Sequence, residues 1–301
     1  MLIPKGSHRD KIIKKWEVLM LRTSKVLILI ITAVFVFVSA ADAFVFVSMA
    51  DSRGGDNGVN SEILSQIVEQ VLKENPALVI FQGDMINGSG DDEIVKAQYK
   101  KWQEVMKPLL SKVPVYVVAG NHELIGRKQE ALFQDAFDMP MNGPEDFKEL
   151  CYSFDYENCR FIGFDTNDFK RRYRKTSKWL KDQMDDAGDK HIFVMGHAPA
   201  FPAGPHVGSS LDGSSQNREK FWNDLVKYKV KAYFCGHEHL YNRRCVDGVY
   251  QIINGTCGAP IYGGHGGNFY HYAVIKVEGN KIEAIVKNEK GVEKDRFVIS
   301  E

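Results

Sequence analysis

Residues 44–55 read FVFVSMADSRGG, an apolar run suited to a buried strand that meets a carboxylate, a cation and two glycines without a break. Asp and Gly are common turn residues, so Asp51 taken alone reads as a corner. The same arrangement then recurs. ALVIFQGD sets Asp84 after a short apolar run, and VYVVAGNHE sets Asn121 and His122 after another. HIFVMGHAP does so for His197, and KAYFCGHEH for His237 and His239. In these four later blocks a Gly stands directly before the first residue of a ligand type that follows the apolar run. The runs are short, β-branched and aromatic, the composition of fully buried strands.

Helical periodicity fills the intervals. VNSEILSQIVEQVLKE (Val59 to Glu74) carries Ile63, Ile67 and Val71 on one face, and EIVKAQYKKWQEVMKPLL (Glu93 to Leu110) carries a second apolar stripe. KWLKDQM around Trp179 and REKFWNDLVKYK around Trp222 predict two more helices. These stripes are core-facing surfaces. Strands alternating with helices predict a largely parallel, buried sheet whose ligands bind outside the carboxyl ends of the strands. Asp51, Asp84, Asn121, His122, His197, His237 and His239 are therefore expected to converge on one edge of the core. Five strand ends, each followed by a metal-ligand residue type, outweigh the corner reading of Asp51.

Composition narrows little. The chain has 301 residues, and Lys plus Arg equals Asp plus Glu at 39 each. A net charge of zero gives no global field for nucleic acid, although KRRYRK (Lys170 to Lys175) is a local basic cluster that a solvated loop explains equally well. Five cysteines without a C-x-x-C pair form neither a disulfide scaffold nor a zinc site. Cys151 and Cys159 flank a hairpin whose turn at Glu157-Asn158 sets Cys159 opposite Tyr156, so these two do not bond. Cys245 with Cys257 is a disulfide candidate, and core thiols are the other reading. The C-terminal stretch FYHYAVIKVEGNKIEAIV predicts an antiparallel hairpin around Gly279-Asn280 at an edge of a second sheet.

From Met20 the chain reads MLRTSKVLILIITAVFVFVSAADA, positive charges followed by an apolar run and small residues. That is the layout of a secretory signal, with Ala41-Asp42-Ala43 fitting the cleavage pattern. The apolar run is shorter than the roughly 20 residues a spanning helix needs. Export to the periplasm or outside is expected, with a membrane partner only if the segment stays uncleaved.

The order Asp, Gly-Asp, Gly-Asn-His-Glu, Gly-His, Gly-His-x-His resembles the calcineurin-like metallophosphoesterase superfamily, in particular its purple-acid-phosphatase-related branch. The resemblance implies an α/β to α+β fold, a four-layer α/β/β/α sandwich of two mixed sheets. It extends over a phosphoesterase domain at 44–301, which leaves residues 1–43 as the basic segment and signal read above. It implies that Asp84 bridges two metal ions, that Asp51 and His239 complete one site, and that Asn121, His197 and His237 complete the other. His122 would contact the phosphate and protonate the leaving oxygen, with Glu123 orienting it. Imidazole, carboxylate and amide donors without thiolate suit Mn, Fe or Zn.

One position departs from the pattern. The usual first block is Asp-x-His, and here the third residue is Arg53, which stays protonated and cannot ligate a cation. In the related purple acid phosphatases a Tyr three residues after the bridging Asp substitutes, and the equivalent here is Asn87. Asn87 or water fills the gap. Arg53 either grips substrate phosphate with its planar fork or pairs with a surface carboxylate. The expected function is hydrolysis of small-molecule phosphomonoesters or phosphodiesters by metal-activated water, with two divalent or trivalent ions. The alternatives are a catalytically impaired relative that binds a phosphorylated ligand, and a different hydrolase using the same metal pair. The loop Phe201 to Arg218 is expected over the site, where His206 or Asn217 can touch substrate, and Tyr241 and Arg243 either line the cleft or pack.

Overall fold

All five apolar runs form strands, but the first three belong to one sheet and the last two to another. The computed structural model describes residues 43–301, so the basic segment and the signal-like stretch lie outside the described residues. The elements begin β1 (Phe44–Met49), α1 (Ser61–Lys73), β2 (Leu78–Phe81), α2 (Asp92–Leu110), β3 (Val115–Val117) and α3 (Arg127–Ala136). They continue with β4 (Tyr152–Tyr156), β5 (Cys159–Gly163), α4 (Phe169–Asp185), β6 (His191–Met195), α5 (Ser215–Lys227) and β7 (Ala232–Cys235). The chain closes with β8 (Tyr241–Val246), β9 (Val249–Asn254), β10 (His271–Glu278), β11 (Lys281–Asn288) and β12 (Glu293–Ser300).

One six-stranded sheet has the order β12-β11-β10-β1-β2-β3, the other β4-β5-β6-β7-β9-β8. Strands β1 to β3 are parallel, as are β5, β6, β7 and β9, and antiparallel hairpins complete both sheets. Both sheets are thus mixed and helix-flanked, as the resemblance implies. They meet at Phe46 of β1, whose ring lies edge-on to Phe161, Phe193 and Phe234 of the opposite sheet, with centroids 5.0, 5.1 and 5.8 Å away. All four rings are buried. Burying such a ring stabilises by about 1.5–3 kcal/mol, and an edge-to-face pair adds roughly 0.5–1.5 kcal/mol. This contact locks the strand ends of one sheet beside those of the other.

The helices start where their caps direct. The Asn60 side chain accepts the Ile63 N–H at 3.3 Å at the head of α1, and its Nδ2 donates to Gly258 O at 2.8 Å. One residue thus caps a helix and ties the loop after β1 to the loop after β9. Helix α4 begins at Phe169, so the KRRYRK cluster is helical, not a solvated loop. Arg172 within it is buried and paired with Asp165 and Glu130.

Other expectations change. The Gly279-Asn280 hairpin forms, but in the sheet of β1: β10 pairs antiparallel with β1, and β12 takes the outer edge. The β4–β5 register pairs Tyr156 with Cys159 as the turn requires. All five cysteines are free; four are buried, and Cys245 is exposed. The proposed Cys245–Cys257 bond is absent because Cys245 sits opposite Tyr250 at the sheet surface, while Cys257 is buried with its thiol on His271 O. Helix α3 has no counterpart among the helices that the periodicity predicts. No helix among the described residues is long and apolar enough to cross a membrane.

Candidate metal centre

Three of the predicted residues sit in strained backbone. Asp51, Asp84 and His237 have φ of 57°, 51° and 68°, left-handed conformations that cost an L-residue about 1–2 kcal/mol each. Neighbouring loops hold them there. Asp51 N–H donates to Gly83 O at 3.0 Å, and the N–H groups of Ser52 and Arg53 donate to Asp84 O at 3.0 and 3.2 Å. The glycines of the motifs leave the room: a Cβ on Gly120 would strike the Asp84 carboxylate, and one on Gly236 the Asp51 carboxylate.

The side chains then form two groups that share one residue. Asp84, His197 and His237 bring ligand atoms within 4.8 Å of one another, and so do Asp51, Asp84 and His239. The Asn121 Oδ1 joins the first group, 3.0 Å from His197 Nε2 and 2.9 Å from His237 Nδ1. The other ring nitrogens decide the tautomers. His197 Nδ1 lies 2.8 Å from Gln82 O, and His239 Nδ1 lies 2.8 Å from Pro260 O, so each donates there. Their Nε2 atoms are left with lone pairs, His197 facing Asn121 Oδ1 and Asp84 Oδ1 (3.3 Å), His239 facing Asp51 Oδ1 (3.6 Å). Acceptors facing acceptors in a buried cluster fit a cation, and a backbone carbonyl behind the imidazole is the support a metal-ligating His receives.

The electrostatics agree. Burial, then repulsion from Asp84, holds the Asp51 carboxyl well above its ordinary range. Burial pushes His197 below its ordinary value, His239 down to about 4 and His237 to about 2. The imidazoles are neutral at physiological pH with lone pairs to donate, and the crowded carboxylates would gain from a positive ion between them.

Around this cluster stand the remaining predicted residues. His122 N–H donates to Asp84 Oδ1 at 3.1 Å, and its ring Nδ1 is 2.6 Å from Asn87 O. That fixes the ring with Nε2 3.9 Å from Asp84 Oδ2 and 26 % of the side chain open to solvent. Glu123 does not touch this ring. Its carboxylate is fully buried and accepts the N–H groups of Asp84, Gly120, Met85 and Ile86 at 2.7–3.2 Å. It therefore anchors the loop carrying Asp84, and Asn87 O orients His122 instead. Burial and the nearby Asp84 push Glu123 up to about 8.

Arg53 points inward. Its Nε lies 3.5 Å from Asp84 Oδ2, buried and without a hydrogen-bond partner, so the surface-carboxylate reading does not hold. Asn87 donates from its Nδ2 to Gly55 O at 3.3 Å and serves His122 through its main chain. Asn217 bonds Lys170 O, while Tyr241 and Arg243 pack on Asp295, away from the cluster.

Tyr262 and Glu238 carried no local signal, whereas His206 belongs to the loop expected over the site and does reach it. Tyr262 stacks on His239 with centroids 4.3 Å apart. The His206 ring lies 4.1 Å from that of His237, and its Nδ1 faces the fully buried Glu238 carboxylate at 3.3 Å. Glu238 also accepts the N–H groups of Gly204 and His206 at 3.2 Å, pinning the loop after β6 over the site. A cleft of 360 Å³ opens beside Asn121, His197 and His237 and is lined further by Asn167, Lys170 and Ser209.

A pair of helix-flanked mixed sheets with carboxylate, amide and imidazole donors gathered at their strand ends defines a metallophosphatase fold. The family model for calcineurin-like phosphoesterases matches residues 55–241, and the chain belongs to that family. It is 28% identical over 246 residues to purple acid phosphatase 23 of Arabidopsis thaliana, covering 71% of this chain and 51% of the relative. It is 31% identical over 175 residues to a probable glycerophosphodiester phosphodiesterase, GpdQ, of Arcobacter nitrofigilis, covering 56% of this chain and 58% of the relative. The purple acid phosphatase PPD1 of yellow lupin shares the fold, with a TM-score of 0.69 at 17% identity over 86% of this chain and 54% of that one. The chain spans between half and two thirds of the length of these curated relatives.

Proposed function

We propose that this protein is a dinuclear metal-dependent phosphoesterase that hydrolyses phosphomonoesters or phosphodiesters, with His122 as general acid. The observation that carries the reading is the pair of donor groups sharing Asp84, with His122 beside them and outside both. Asp84, Asn121, His197 and His237 would hold one ion, and Asp51, Asp84 and His239 the other. Two bound cations would supply Lewis-acid polarisation of the phosphoryl group and lower the pKa of an attacking water.

The chain's own residues do the rest. Asn87 O takes the His122 Nδ1–H, so in the imidazolium form the second proton sits on Nε2, which faces the cluster, and passes to the leaving oxygen as the P–O bond breaks, leaving the neutral ring. Arg53 offers its remaining guanidinium N–H groups to a phosphoryl oxygen from the opposite flank of Asp84. The cleft beside His237 receives the leaving group. Glu123 and Glu238 keep the two loops in register through main-chain hydrogen bonds. Export rests on the Met20 to Ala43 stretch, and the partner is a small-molecule phosphoester.

The test is hydrolysis of p-nitrophenyl phosphate and bis-p-nitrophenyl phosphate by chelator-stripped protein resupplied with Mn, Zn, Fe or Mg. Turnover restored by metal and weakened by His122→Ala is expected, and the faster substrate identifies the ester class. No turnover with any metal would replace this reading with a phosphate-binding protein disabled at Arg53.

A further inference from the structure

The two donor groups share a carboxylate but not a charge environment. Asn121, His197 and His237 meet Asp84 with an amide oxygen and neutral imidazoles, all lone-pair donors. On the other flank Arg53 Nε lies 3.5 Å from Asp84 Oδ2, buried and with no hydrogen-bond partner of its own. Its backbone is pinned, with N–H on Asp84 O at 3.2 Å and a β-bridge to Val59. The guanidinium is thus held against the cluster by its own main chain.

We propose that Arg53 makes the two metal positions unequal. The position of Asp84, Asn121, His197 and His237 retains its ion, and that of Asp51, Asp84 and His239 binds its ion at least tenfold more weakly. The inference rests on the metal-dependent reading above. A guanidinium has no lone pair to donate and does not lose its proton. It occupies the side of Asp84 Oδ2 that the second ion needs and repels that ion. Between like charges a few ångströms apart in a partly buried site, such repulsion exceeds a tenfold effect on affinity. The weaker position also has one fewer donor among the named side chains.

The experiment is calorimetric titration of the stripped full chain with Mn(II), together with elemental analysis of ions retained after gel filtration. It compares the unaltered protein with Arg53→Ala, Arg53→His and His197→Ala, each checked for folding by circular dichroism. Expected are two separated binding steps and one retained ion for the unaltered protein. Arg53→His should retain two ions, Arg53→Ala should tighten the second step at least tenfold, and His197→Ala should lose the first. Two equal steps in the unaltered protein, or a second step unmoved in both Arg53 variants, would overturn the inference. No bound ion in any protein would instead overturn the metal-dependent reading, so the two failures are distinguishable. If one Arg53 variant does not fold, the other and the unaltered isotherm decide.

Discussion

Glu123 Oε2 accepts the main-chain N–H of Asp84 at 2.8 Å, and its Oε1 accepts the next N–H, that of Met85, at the same distance. The residue that follows His122 thus carries the backbone of Asp84, the carboxylate common to both donor groups, 39 positions earlier in the chain. A buried carboxylate without a cation partner is otherwise a costly feature.

Replacing Glu123 with Ala strands the N–H groups of Asp84, Met85, Ile86 and Gly120 in the interior. Leaving a buried donor unsatisfied costs roughly 1–3 kcal/mol, so a loss of about 3–5 kcal/mol is expected for the four after partial relaxation. Urea unfolding measures it. A change below about 1 kcal/mol would mean that other contacts hold the Asp84 loop.

Gly236→Ala tests the packing of the motif directly, since the added methyl collides with the Asp51 carboxylate. The expected outcome is a folded protein whose metal content drops, with weaker loss of stability than a core truncation. Metal content equal to that of the unaltered protein would show that Asp51 can shift without cost to the site.

His122→Ala is expected to slow hydrolysis of an alkyl phosphate by roughly 10²–10⁴-fold, the usual contribution of a positioned acid. Metal stoichiometry should not change, because His122 lies outside both donor groups. With p-nitrophenyl phosphate, whose leaving group departs without a proton, the loss should be smaller. Equal losses on both substrates would assign His122 to binding rather than proton transfer.

His271, which belongs to neither donor group, gives the stability a pH dependence of its own. Its Nδ1 is engaged by Thr256 Oγ1 and Phe269 O, and its buried Nε2 has no partner to receive an added proton. Burial lowers its pKa from the ordinary 6.5 of an imidazole to about 4. The unfolded chain therefore binds a proton that the folded protein refuses between those values. Its contribution is fully present above about pH 6.5 and is lost as pH falls toward 4, up to about 3 kcal/mol. His271→Leu should flatten this part of the stability profile. An unchanged slope between pH 4 and 6.5 would assign the acid sensitivity to other groups.

The strand-end residues were legible in the sequence because each lies within four positions of the end of a short apolar run, and a strand can only end where its backbone turns. That local rule located Asp51, Asp84, Asn121, His122, His197, His237 and His239 without any knowledge of which sheet each strand joins. It also registered Arg53 as a misfit, because a guanidinium can never be a ligand.

What the sequence could not supply is whatever depends on segments far apart in the chain. Pro260 O behind His239, Tyr262 on its ring and Asn87 O behind His122 arrive from loops with no periodicity of their own. Glu123 reads in sequence as a partner for its neighbour His122, yet packing turns it inward to the Asp84 loop. The C-terminal hairpin pairs with β1 because β10 finds an open edge there, a choice made by sheet closure rather than by its residues. Arg53 shows the division best. Its side chain type follows from the sequence, but that it faces Asp84 at 3.5 Å was decided only when the loop after β1 bonded to the main chain of Asp84 itself.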